Sequence, residues 1–400
     1  MIGDEGSKEL TIKPLSDPKV IDLTHVLSGP YCTYQLGLLG AEVIKVESSR
    51  GDMTRPWGGG GEQIKLGLGT GFVAQNAGKR SIVIDIKDLR GSAIVQDLVK
   101  SADIFVENYR PGKMLECGLD FDRLSSINSE LIYTSISAFG QNGPHGHRPG
   151  FDDVIQATSG FMSINVRDDG PIRTGGPVLD YATGMHATSA VLAALMLREK
   201  TGKGQHIDIS MQDVTMLLMN RHTSIAATTG VPLPPLQDRE GPLLGRYLTR
   251  DGYVMLAGYR ANHKKTILEA LGLTEYSSMS SAQLNSRWKQ IESDVEKVLK
   301  SKSTSEWDEI FSKFGVVAGG VRDLMEVFAT GQPEARDLLT TVNSAFGNHQ
   351  VSTIGYRINE NAFEPGSHVP LLGEQTEEVL LELDYSNEKI SELFDDGIVM

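Results

Sequence analysis

Between residues 19 and 140 the chain alternates short apolar, β-branched runs with stretches of helical character, and few folds accommodate that alternation. KVIDLTHV reads as a strand, and Gly29-Pro30 turns the chain into a helix, Pro at a favoured first position, through YCTYQLGLLG. AEVIKVES is a second strand. KRSIVIDIK, ADIFVENY and LIYTSISAFG repeat the strand signature, separated by the amphipathic DLRGSAIVQDLVKSA and by a short helical region after Arg110-Pro111-Gly112. Strands joined through helices lie parallel with right-handed crossovers, so the expected fold class is α/β, a Rossmann-like doubly wound parallel sheet. Such sheets take ligands beyond the carboxyl ends of their strands, which makes Thr24 to Ser28 the first ligand-facing loop. The dinucleotide fingerprint G-x-G-x-x-G is missing from it.

Residues 49 to 71, rich in glycine and without periodicity, read as a long loop. Its G-L-G-T-G lacks a following Lys-Ser/Thr and resembles a phosphate loop only superficially. His145 and His147 have no third ligand at suitable spacing, so solvated loop histidines are expected and no metal site. HIDIS is a short strand, and the Pro-rich VPLPPLQDREGP at 231 to 242 marks a boundary. A hairpin-like YLTRDGYVMLAGY and helices with polar faces follow, through Phe314. A chain of 400 residues favours two domains. The expected organisation is a large domain from 1–200 and 345–400, a smaller α+β domain at 240–335, and linkers at 200–240 and 335–345.

The formal charge of −14 argues against nucleic acid or an anionic membrane as the main partner. No apolar run approaches the roughly 18 residues of a membrane helix, and the amino terminus carries neither a signal nor a transit pattern. Cys32 and Cys117 make no disulfide framework, and the expected setting is cytoplasmic. An anionic ligand has to be held by local clusters, such as Arg50 with Arg55, Lys79 with Arg80 and Lys87, or Arg110 with Lys113.

In RTGGPVLDYATGMHATSAVLAALMLREKTGKGQ, residues 173 to 205, a Gly-Gly-Pro turn leads into a long, mostly apolar helix closed near Thr201-Gly202. Asp180 stands at or beside its first turn. Asp is a preferred helix cap there. A carboxylate held beside free N–H groups, with glycines that admit another molecule, also suits a nucleophile on an acyl group. The pattern alone leaves both open.

Eight motifs in one order resemble the family III coenzyme A transferases, which include formyl-CoA, carnitine-CoA and succinyl-CoA:dicarboxylate transferases and the α-methylacyl-CoA racemases. They are VIDLTHVLSGPYCTYQLGLLGAEVIKVE, GDMTRPWG, NAGKRSIVIDIK, ADIFVENYRPGKMLECGL, GFDDVIQATSGFM, LDYATGMHA, REKTGKGQHIDISMQD and PLLGEQTEEVL. The resemblance implies that Asp180 is the nucleophile, with Asp152 a second acidic position in the site, its competing role being to cap the helix that follows it. It also implies coenzyme A contacts at His25, Val26, Ile84, Lys87, Asn108 and Tyr109, with Arg50 and Arg110 as further candidates for the phosphates. The expected partners are an acyl-CoA thioester, as substrate and not as a permanently bound cofactor, and a carboxylic acid acceptor. An interlocked homodimer is the expected assembly.

Departures from the family pattern narrow the expectation. Phe151 stands where the racemases carry a catalytic His, and racemisation needs an acid/base on each face of the α-carbon. The glycine-rich loop of formyl-CoA transferases is replaced by LAGYRANHKK, their Gln by Leu27, and one CoA-contacting Arg by Glu116. The resulting expectation is an acyl-CoA:carboxylate CoA-transferase with a small dicarboxylate acceptor, and the alternatives are an acyl-CoA racemase or a non-catalytic CoA-binding protein.

Overall fold

Six of the apolar runs pair into one sheet in the computed structural model, which describes residues 13–167, 169–235 and 239–400. They are β1 (Lys19–Leu23), β2 (Glu42–Glu47), β3 (Arg80–Val83), β4 (Ile104–Glu107), β5 (Ile132–Ser137) and β6 (His206–Ser210). All neighbours run parallel, in the spatial order β3-β2-β1-β4-β5-β6. Five helices position the features below: α1 (Ser28–Leu38), α2 (Thr70–Asn76), α3 (Leu89–Val99), α4 (Asp152–Thr158) and α5 (Val178–Thr201).

Because successive strand side chains point to opposite faces, each strand feeds two cores. Val20, Val43, Ile104 and Ile132 pack with residues of α1, α2 and α5 on one face. Ile21, Ile44 and Phe105 pack with α3 and the C-terminal helices on the other. The chain leaves β1 toward the first face and β4 toward the second, so the carboxyl ends of these adjacent strands flank a crevice.

The stretch 49 to 71, expected as a loop, holds a short helix at Gly61–Lys65 and the start of α2. Only seven residues long, α2 is too short for a 3.6-residue period to register, yet it buries Phe72, Val73, Gln75 and Asn76. The chain divides into two compact units, one running up to Leu233 and resuming with Glu334–Met400, the other Pro234–Pro333. The second unit has its own core, including Tyr247, Leu256, Ile291 and Trp307, and an antiparallel hairpin of Leu244–Leu248 with Tyr253–Ala257. Among the described residues no helix is long and apolar enough to cross a membrane.

The ligand edge of the sheet rests on six buried charges: Asp22, Lys45, Glu47, Asp52, Arg55 and Lys79. Lys79 Nζ donates to Asp22 Oδ2 (2.9 Å), Thr33 Oγ1 (2.8 Å), the Pro30 carbonyl (2.9 Å) and Asn76 Oδ1 (2.9 Å), which ties β1 to α1 and α2. Lys45 Nζ donates to the Thr24 carbonyl (2.9 Å) and pairs with Asp52 Oδ2 (3.1 Å). Arg55 forks onto Glu47, Nε to Oε2 at 2.8 Å and Nη2 to Oε1 at 2.6 Å. Burial alone would push the Asp22 carboxyl up, but Lys79 and Lys45 outweigh it and hold it at about 2.

A buried ion pair that loses one partner leaves the other uncompensated, a loss of roughly 3–5 kcal/mol. Lys45→Met is therefore expected to destabilise the protein by about that much in urea unfolding. A change below about 1 kcal/mol, the range of exposed pairs, would show that this charge is dispensable.

Candidate active site

Asp180 occupies the third position of α5, 7% exposed, on a cavity of about 410 Å³. The helix start needs a cap, and Pro177 offers no side chain for it. Asp152 supplies it from α4: its Oδ2 accepts the N–H groups of Leu179 (2.8 Å) and Asp180 (3.1 Å). Its Oδ1 takes the Gln156 amide, and Gln156 Oε1 accepts the Thr174 N–H (2.9 Å). Of the two roles left open for Asp152, capping the helix that follows it is not the one its carboxylate takes. Asp152 is the first residue of α4, behind Phe151 at the cap position, and its carboxylate is used by a different helix.

With α5 capped from outside, the Asp180 carboxylate is left to face α1, where the nearby hydroxyl and N–H of Ser28 favour its charged form. The close approach depends on Gly184, one turn along α5: a Cβ there would stand 2.6 Å from the Ser28 carbonyl oxygen. Burial first, and the neighbouring Asp152 second, push the Asp180 carboxyl up to about 7 against the pull of Ser28.

A second cavity, of about 430 Å³, lies in the crevice at the ends of β1 and β4 and is lined by His25, Asn108, Tyr109, Arg110, Lys113 and Arg148, among others. Asn108 spends its amide on joining the two loops. Its Oδ1 accepts the His25 N–H (2.9 Å) and its Nδ2 donates to the His25 carbonyl (2.7 Å). The His25 and Tyr109 rings lie 5.1 Å apart, and burial lowers the His25 pKa, which leaves a neutral imidazole at neutral pH. The two cavities share Phe151, and the consecutive residues His25 and Val26 line one each.

Val26 has φ +69°, a left-handed conformation that a β-branched residue rarely adopts. Asp52 Oδ1 holds its N–H (3.2 Å) and Gln75 Nε2 its carbonyl (2.7 Å), so the buried charge network maintains the strain.

Of the expected residues, Asp180, Asp152 and Val26 meet in one cavity and His25, Asn108, Tyr109 and Arg110 in the other. Ile84 is a buried core side chain, Lys87 and Arg50 are exposed, and all three line neither cavity. Among residues that sequence reasoning did not assign, Ser28 influences the Asp180 carboxylate, Arg148 lines the crevice, and Arg173 and Trp57 line the Asp180 cavity. Arg173 had a signal, as the cation that opens the stretch leading to Asp180; Ser28 had none beyond its place in the loop after β1. Among the described residues no group of three His, Cys, Asp or Glu side chains is placed to hold a metal ion.

Residues 15–376 match the model of CoA-transferase family III. A mouse (Mus musculus) protein named succinyl-CoA:glutarate CoA-transferase is 34% identical over 403 residues, covering 97% of this chain and 91% of the relative. A Streptomyces coelicolor protein named formyl-CoA:oxalate CoA-transferase is 29% identical over 418 residues, covering 98% and 100%. The crystal structure of a CaiB/BaiF family protein from Brucella suis superposes with a TM-score of 0.83 at 31% identity, covering 93% of this chain and all of the other.

The raised Asp180 pKa carries a stability consequence. The folded state keeps a proton up to pH about 7 that the unfolded chain releases near pH ~4, so this stabilisation is full below pH ~4 and is lost as pH rises through about 7. Asp180→Asn, which cannot ionise, is expected to melt several degrees above wild type at pH ~8 and level with it at pH ~4. An equal difference at both pH values would mean that the carboxylate titrates normally.

Proposed function

The chain belongs to CoA-transferase family III, and we propose that it moves coenzyme A from an acyl-CoA to a small dicarboxylic acid through covalent intermediates on Asp180. The observation that carries this is a buried carboxylate freed from capping duty, on a cavity adjoining a crevice that holds Arg110, Lys113 and Arg148. The crevice suits the phosphates and adenine of coenzyme A, with Tyr109 as the aromatic wall. The thioester end then reaches across Phe151 to Asp180.

Four exchanges complete a cycle. The ionised Asp180 attacks the thioester carbonyl, giving an acyl-aspartyl anhydride and CoA thiolate. The thiolate attacks the aspartyl carbonyl, forming an aspartyl-CoA thioester and releasing the donor acid. The acceptor carboxylate attacks that thioester, regenerating thiolate and a new anhydride. The thiolate finally attacks the acceptor carbonyl, releasing the new acyl-CoA and the free Asp180 carboxylate. Each intermediate conserves the energy of the thioester, and Ser28, whose hydroxyl and N–H favour the charged Asp180, is the donor proposed for the oxyanions. A carboxyl whose pKa burial raises to about 7 is ionised in part at neutral pH and, as the less stabilised anion, is a stronger nucleophile than an unperturbed aspartate.

The dicarboxylate acceptor is supported by relatives named for glutarate, oxalate and mesaconate. A homodimer is part of the same proposal. Apolar side chains exposed on α5, Met185, Met196 and Leu197, with Met216, Leu217 and Leu218 on the helix Met211–Leu218, are surface of the kind a partner subunit covers.

Incubation with an acyl-CoA, trapping with hydroxylamine and intact-mass spectrometry test the covalent cycle. A hydroxamate on the Asp180 peptide of the wild type, absent from Asp180→Ala, is the expected result. No adduct across a series of acyl-CoAs, with CoA binding demonstrated, would leave a CoA-binding protein without this chemistry.

A further inference from the structure

We propose that Arg173 recognises the second carboxylate of the acid substrate, and that Asp153 occupies its place on Arg173 in the resting enzyme. This rests on the transferase function above and assigns its acceptor selectivity to two residues. Arg173 is the only cationic side chain among the described residues lining the Asp180 cavity, which otherwise holds three carboxylates, Asp152, Asp153 and Asp180. A substrate bringing a second negative charge into such a cavity needs that cation. Met53, Trp57, Phe151, Leu27 and Pro177 form apolar walls that fit the methylenes of an aliphatic diacid.

Arg173 is already engaged with a carboxylate. Its Nη1 lies 2.7 Å from Asp153 Oδ1, and both side chains are about two-thirds exposed, at 66% and 63%. Exposed pairs of this kind contribute roughly 0–1 kcal/mol, so an incoming carboxylate exchanges for Asp153 at little loss, whereas a neutral group gains nothing by doing so. Once Asp153 is displaced, the guanidinium fork can bind the newcomer at two points.

The backbone beside Arg173 is also fixed relative to the reacting carboxylate. The next residue, Thr174, donates its N–H to Gln156, Gln156 donates to Asp152, and Asp152 accepts the N–H of Asp180. One hydrogen-bond chain thus holds both ends of a diacid site, with Asp180 at the reacting end and Arg173 at the recognising end.

The test compares glutarate with its monomethyl ester, and then diacids of two to six carbons, as acceptors for wild type, Arg173→Gln, Arg173→Lys and Asp153→Asn. Arg173→Gln is expected to raise KM for the diacid at least about tenfold while kcat/KM for the monoester stays within about twofold, and Arg173→Lys to recover part of the loss. Asp153→Asn is expected to lower the diacid KM several-fold, because the competing carboxylate is gone. Equal loss on both acceptors in Arg173→Gln, a raised diacid KM in Asp153→Asn, or a wild type indifferent between diacid and monoester would each overturn the proposal. Hydroxylamine trapping on Asp180, run on the same variants without acceptor, keeps these outcomes apart from a failure of the covalent cycle itself.

Discussion

Three cations and three carboxylates buried under the carboxyl edge of the sheet set the geometry of everything above them. No member of the set can move without leaving a neighbour uncompensated in a low-dielectric interior, so the loops they grip are held firmly. Lys45 holds the Thr24 carbonyl and Asp52; Asp52 holds the N–H of Val26; Lys79 holds β1 against α1 and α2. The loop from Thr24 to Ser28 is thereby fixed in a strained course that gives His25 to one cavity, Val26 to the other and Ser28 to Asp180.

A division of labour between two aspartates follows from that rigidity. Helix α5 needs a capping acceptor and the proposed chemistry needs an uncommitted carboxylate. Asp152, bound to two N–H groups and the Gln156 amide, meets the first need. Asp180, crowded by it and buried, becomes the group whose charge is disfavoured. Gly184 permits the helix contact through which Ser28 offers its donors, so the fold moderates the penalty that burial creates.

Electrostatics is also partitioned between the two cavities. Positive side chains gather in the crevice at β1 and β4, whereas carboxylates dominate around Asp180, with Arg173 as the exception. For a chain of net charge −14 this gives the two cavities opposite electrostatic character, which suits the proposed separation of a polyanionic carrier from the acids it is exchanged between.

By itself the sequence determined the parallel sheet, because apolar runs separated by helical stretches have few other ways to be buried, and β1 to β5 all lie within expected strand segments. It also placed Asp180 in the first turn of a long helix that stops at Gly202. It left α2 unseen for want of length, and it could not separate a core isoleucine such as Ile84 from one that meets a ligand, since both look alike in a strand. Tertiary structure alone decided that Asp152 caps a helix that begins 26 positions on, that Asn108 is spent on the His25 backbone, and that Arg173 shares a cavity with Asp180. Periodicity and propensity act within a few residues of chain, whereas these are choices among long-range partners, and only the packed sheet and helices bring such partners within hydrogen-bond reach.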